Sequence, residues 1–164
     1  MESAQYLDGS FPEHTCNAMT SDEIATFVCK GNKDAERFCK TFVAYCHLLD
    51  DCVDRDKPCD AERVARESIE FIVELSVNPF FQAHKAQLIG LIIQGFRAWA
   101  DSNAPKYNPT EFKDGTLERL YERDVIKGFY HEAVYHVAAI LGGWEHLRKV
   151  TELCRSYDFE ERAA

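Results

Sequence analysis

The sequence has no run of about twenty apolar residues, the length that a membrane-spanning helix needs, and so predicts no span. Cations are scarce: 19 lysines and arginines stand against 28 aspartates and glutamates, a net charge of −9. That balance argues against a nucleic-acid backbone or an anionic membrane surface as partner. It leaves room for a phosphorylated substrate, because a bound cation reverses the local field. No Cys-x-x-Cys pair occurs among the seven cysteines, and zinc-ligand spacing is missing with it. Cys16, Cys29, Cys39, Cys46, Cys52, Cys59 and Cys154 therefore read as reduced, partly buried thiols of a cytoplasmic protein. The first residues, MESAQYLDGSFPEH, are polar and acidic and lack the pattern of a secretory signal. Internal repeats, low-complexity tracts and strong strand signals are lacking as well.

What is present is helical periodicity over 164 residues, enough for one domain with a real core. The expected fold is all-α: a single-domain bundle of about five to six helices over residues 21–164, after an irregular arm over 1–20. Ser21 or Asp22 is placed to cap a first helix that Gly31 stops. Asn32 caps a long helix to about Asp56, ended by Lys57-Pro58. Asp60 caps the next, AERVARESIEFIVELSV. Pro79 opens a third long helix, to about Asp101. Its segment QLIGLIIQGFRAW is the most apolar in the chain, so this helix is expected to be central. Residues 102–115, SNAPKYNPTEFKDG, read as a loop, either a lid or a plain connector. A last large helix spans Thr116 to about Leu141, and Gly142-Gly143 separates it from WEHLRKVTELCRSY.

Two helical stripes carry candidate chemistry. In FVAYCHLLDDCVDRD, His47, Asp50, Asp51 and Asp54 share an arc of roughly 100°. Three carboxylates that close repel one another, and a hard cation such as Mg²⁺ removes the repulsion. Such a cation can hold a diphosphate in turn; a solvated acidic face is the plain alternative. On the helix from Thr116, Asp124, Gly128, His131 and Tyr135 fall within about 60° of arc, among apolar and small residues. They line a cavity or form a satisfied buried cluster. Lys127 sits at the edge of that stripe, within reach of a phosphate. Gln94 and Arg97 lie on the polar side of the central helix, facing a pocket or solvent.

The stretch YCHLLDDCVDRDKP resembles the first aspartate-rich motif of trans-isoprenyl diphosphate synthases and of squalene and phytoene synthases. YHVAAILGG, Tyr135 to Gly143, resembles a second segment of squalene and phytoene synthases, with Ala139 where that pattern has glycine. This resemblance implies an all-α enzyme in which Asp50, Asp51 and Asp54 bind Mg²⁺ and a prenyl diphosphate. Tyr135 would then line the cavity. Arg97, Lys127 and Gln94 would face the substrate, with His131, Tyr135 and Asp124 as catalytic candidates. A second resemblance joins Asp51-x-x-Asp54 to Glu67-x-x-Glu70. It is similar to the paired acidic motifs of MazG-like nucleoside triphosphate pyrophosphohydrolases, where antiparallel helices gather carboxylates around Mg²⁺. Both imply Mg²⁺-dependent chemistry on a small-molecule diphosphate. A reading of another class is a non-enzymatic acidic helical protein that binds or inhibits a protein partner. A homodimer through the apolar faces is also open.

Overall fold

A computed structural model of the chain describes residues 20–54, 57–107 and 125–163. Among them it forms five α-helices and no strand: α1 (Ser21–Val28), α2 (Lys33–Asp54), α3 (Ala61–Val77), α4 (Pro79–Tyr107) and α5 (Val125–Ala163). The all-α bundle is the architecture that the periodicity implied.

The helix ends follow from local polar chemistry. Thr20 caps α1: its hydroxyl accepts from the Glu23 backbone N–H, while the Glu23 carboxylate accepts from the Thr20 N–H. The expected cap at Ser21 or Asp22 is therefore late, because only Thr20 has a glutamate three residues on. Gly31, at φ +75°, takes the left-handed conformation between α1 and α2. Asn32 and Asp60 cap α2 and α3 as expected, through the Ala35 and Arg63 N–H groups. Asn78 makes the corner between α3 and α4 and is fully buried. Its Oδ1 accepts from Phe81 N and its Nδ2 donates to the Asp34 carbonyl, which ties the corner to the start of α2.

α4 does not stop at Asp101 but runs to Tyr107. Ser102 Oγ and Asn103 Nδ2 both donate back to the Trp99 carbonyl, and Asn103 is buried. Polar residues that read as loop are absorbed by this back-bonding. The remainder of the expected loop and the expected helix start, 108–124, lie outside the described residues. Gly143, at φ 65° and ψ −164°, kinks α5 where Gly142-Gly143 was expected to divide it. Beyond the kink His146 Nε2 meets the Val28 carbonyl at 2.9 Å and closes the bundle onto α1.

α2, not α4, is the central helix. It packs against each of the other four. The Phe42 ring on α2 meets Phe71 of α3, Phe96 of α4 and Phe129 of α5, with centroids 5.2–6.3 Å apart. α4 is more apolar, but its apolar residues spread over more of its circumference than the bundle covers, so Ile89 and Ile93 remain exposed. Close packing of α4 on α5 depends on Gly95. A Cβ there would lie 1.8 Å from the Phe129 ring.

Gly95→Ala is therefore expected to lower stability by about 1–3 kcal/mol through overpacking, read from urea unfolding. Phe129→Leu in the same chain should recover part of the loss. An unchanged midpoint for Gly95→Ala would mean that the ring is not seated over this glycine. Burial, aided by Asp50, pushes the Cys46 thiol from 9.0 to about 12. Its contribution to stability is present below pH 9.0 and is lost as pH rises toward about 12. Alkylation of Cys46 at pH 9, followed by mass spectrometry, should be far slower in the native chain than in urea.

Candidate functional site

α2 and α3 form an antiparallel pair. Asp51 meets Arg63 near the turn that joins them, and Arg37 meets Glu74 at the far end. Cys52 and Cys59 form a disulfide across that turn, with Cα atoms 5.5 Å apart. This corrects the expectation of reduced thiols for these two residues. Seven positions separate them in sequence, but the hairpin brings the last turn of α2 beside the start of α3 within disulfide range. Cys29, Cys39 and Cys46 remain buried thiols.

Between the two helices lies a cleft of about 460 Å³. α2 lines it with Thr41, Ala44, Tyr45, His47 and Asp51. The turn adds Lys57, and α3 adds Arg63, Arg66, Glu67 and Glu70. Tyr45 stacks on Phe71 at 4.4 Å, so the cleft is anchored on the aromatic core.

Arg63 organises the charges. Its Nη2 donates to Asp51 Oδ2 at 2.8 Å, its Nε to Glu67 Oε1 at 2.9 Å and its Nη1 to the Pro58 carbonyl at 2.9 Å. The Asp51 and Glu67 carboxylates hold the guanidinium well in its charged form. Lys57 Nζ stands 4.0 Å from Asp51 Oδ1, and Arg66 Nη2 stands 3.7 Å from Glu67. Asp51 is buried at 8% exposure, and these cations offset the cost of burying a carboxylate there.

The aspartate-rich motif is dispersed by this arrangement. Asp51 lines the cleft, Asp50 lies half-buried near Cys46, and Asp54 is exposed. Among the described residues no group of three or more His, Cys, Asp or Glu side chains is placed to hold a metal ion. Asp51, Glu67 and Glu70 share the cleft, whereas Asp54, the fourth acid of the two paired stretches, is not among its lining residues. Gln94 and Arg97 are exposed on α4 outside it, and Arg97 pairs with Asp101 at 3.4 Å. His131 and Tyr135 are half-buried on α5, with ring centroids 6.1 Å apart. The Tyr130 ring, 4.7 Å from His131 and 5.7 Å from His47, stands between them and the cleft residue His47. Asp124 and the side chain of Lys127 lie outside the described residues.

Sequence reasoning missed the three cations. Their signal is Arg63 four residues before Glu67, with Arg66 beside it, on the helix that follows the aspartates. It becomes visible only when α3 is folded back on α2. No family model, curated protein or solved structure matches the chain.

Asp51→Asn should lower the urea midpoint clearly, because it leaves the Arg63 guanidinium short of a partner in a partly buried place. Glu132→Gln, at an exposed position of α5, should leave the midpoint within error. Equal effects of the two variants would mean that burial of Asp51 carries no energetic weight.

Proposed function

We propose that the α2–α3 cleft binds a small molecule carrying a diphosphate together with Mg²⁺, and that the protein is an enzyme of Mg²⁺-dependent diphosphate chemistry. One observation carries this: a single opening gathers Lys57, Arg63 and Arg66 with Asp51, Glu67 and Glu70. The two arginine forks suit phosphate oxygens, which they contact in pairs. Asp51 and Glu67 hold the Arg63 fork in place before any ligand arrives, so little ordering is left for binding to impose.

The carboxylates also fit the cation. Mg²⁺ keeps several waters and usually takes one or two carboxylates plus substrate phosphates, so it needs no cage of three acids. Glu67 and Glu70, one turn apart on α3, are suited to that role. Mg²⁺ bound there would polarise the phosphorus and neutralise phosphate charge. His47 at the cleft offers a ring nitrogen to accept a proton from an attacking water.

The cleft favours hydrolysis over isoprenoid synthesis. Ionisation of an allylic diphosphate needs an apolar, water-poor chamber. This opening is lined mainly by charged and polar groups, and Gln94 and Arg97 stand apart from it. Paired acids on antiparallel helices support the pyrophosphohydrolase-like version, with a nucleoside triphosphate as substrate class.

A thermal-shift titration tests the proposal on the wild type, Arg66→Ala and Glu70→Gln. Arg66 and Glu70 are exposed, so both variants should fold. The midpoint should rise only when Mg²⁺ and pyrophosphate are present together, and the rise should shrink in both variants. No rise with any combination sinks the diphosphate site. Release of pyrophosphate from nucleoside triphosphates then separates hydrolysis from simple binding.

A further inference from the structure

The Cys52–Cys59 disulfide sits at one end of the cleft. Asp51, which lines the cleft, directly precedes Cys52. Lys57 and Pro58 lie inside the loop that the bridge closes. Both belong to the charge network of the cleft. Lys57 Nζ stands 4.0 Å from Asp51 Oδ1, and the Pro58 carbonyl accepts from Arg63 Nη1 at 2.9 Å. The bridge thus joins the carboxylate on α2 to the cation and the carbonyl at the entry to α3.

The pairing of α2 with α3 does not depend on this bond. Phe42 and Tyr45 both meet the Phe71 ring, and Arg37 holds Glu74 at the far end of the pair. Asn78 ties the corner after α3 to the start of α2. Only seven positions separate the two cysteines. Closing so short a loop removes less freedom from the unfolded chain than closing a long one. What the bridge restrains is the turn, and with it the placing of Lys57 and Pro58.

The bridge is also open to solvent. Cys52 is exposed and Cys59 half-buried. The sulfurs of Cys29 and Cys39 lie 3.9 Å apart, but both side chains are buried. Cys29 beside it and burial push the Cys39 thiol well above its ordinary value, which leaves little of the reactive thiolate. Redox chemistry therefore has its accessible target in the bridge and not in that core pair.

We propose that Cys52–Cys59 is a redox switch of the cleft: its reduction by a dithiol releases Lys57 and the Pro58 carbonyl from their places beside Asp51 and Arg63 and weakens the hold on a phosphate group. The phosphate part rests on the function proposed above, whereas the release of the turn does not. A thiolate of the dithiol attacks Cys52 Sγ, the S–S bond breaks, and Cys59 leaves as a thiolate that takes up a proton. The second thiolate of the dithiol then displaces Cys52 from the mixed disulfide. The dithiol ends as a disulfide, oxidised by two electrons, and Cys52 and Cys59 end as thiols.

The test compares the full chain oxidised, the full chain treated with dithiothreitol, and the double variant Cys52→Ser with Cys59→Ser. The Arg63 and Val64 amides, which bond to Asp60 just after the bridge, report the turn by hydrogen exchange. Reduction should speed their exchange about tenfold while amides of α4 and α5 and the helical circular dichroism stay unchanged. Affinity for pyrophosphate with Mg²⁺, from titration calorimetry, should fall about tenfold. The double variant should match the reduced chain in both readouts and ignore dithiothreitol. Unchanged exchange at Arg63 and Val64 overturns the switch. So does a bridge that resists dithiothreitol in the folded chain, or loss of the helical signal on reduction, which would make the bond a staple of the whole fold. Equal pyrophosphate affinity in both forms overturns control of the cleft. An oxidised chain that binds no pyrophosphate sinks the function proposed above instead, and amide exchange alone then decides the switch.

Discussion

The Phe42 ring is the contact on which the rest of the bundle depends. It touches aromatic rings from α3, α4 and α5, and Phe38 one turn earlier on α2. Aromatic pairs of this kind add about 0.5–1.5 kcal/mol each beyond the apolar area they bury. Four helices meeting on one side chain leave little freedom in how α3 lies on α2. Tyr45, one turn beyond, stacks on Phe71 and continues the same seam toward the turn. The register of Asp51 against Arg63 is a consequence of that seam.

The cleft shows how a cluster of acids is balanced by cations of the chain itself. Asp51 is buried, and two cations from the turn and from α3 neutralise it. Arg63 also takes Glu67, so one guanidinium bridges both helices. A ligand that brings its own negative charge would compete with those carboxylates for the arginine and would free them for a cation. The same geometry therefore links the resting pairing of charges to the proposed binding of a Mg²⁺ diphosphate.

Much of the architecture was legible in the residues. Periodicity, Asn32, Asp60, Pro79 and the Gly142-Gly143 pair placed helices close to where they occur, because caps and breakers act locally. The extension of α4 was hidden, since Ser102 and Asn103 are loop-prone until their side chains bond back to Trp99. The choice of α4 as centre failed because apolar content does not reveal which face meets which helix. For the site, Asp51, Asp54, Glu67 and Glu70 were legible as two acidic stretches, but not that Asp54 would stand outside the cleft lining. Lys57, Arg63 and Arg66 were not, since a cation near an acid in sequence says nothing about the opposite helix.

By itself the sequence determined the class of the fold, the ends of most helices and the presence of acids in pairs on consecutive helices. Those properties depend on hydrogen bonds and side-chain spacing within a few residues. Only the tertiary structure decided which carboxylate is buried, that Cys52 reaches Cys59, and that Gln94 and Arg97 stand away from the cleft. Each of these depends on how one helix is rotated against another. That rotation is fixed by the fit of the Phe42 ring against Phe129 and of Phe129 against Gly95, a long-range condition that no local pattern encodes.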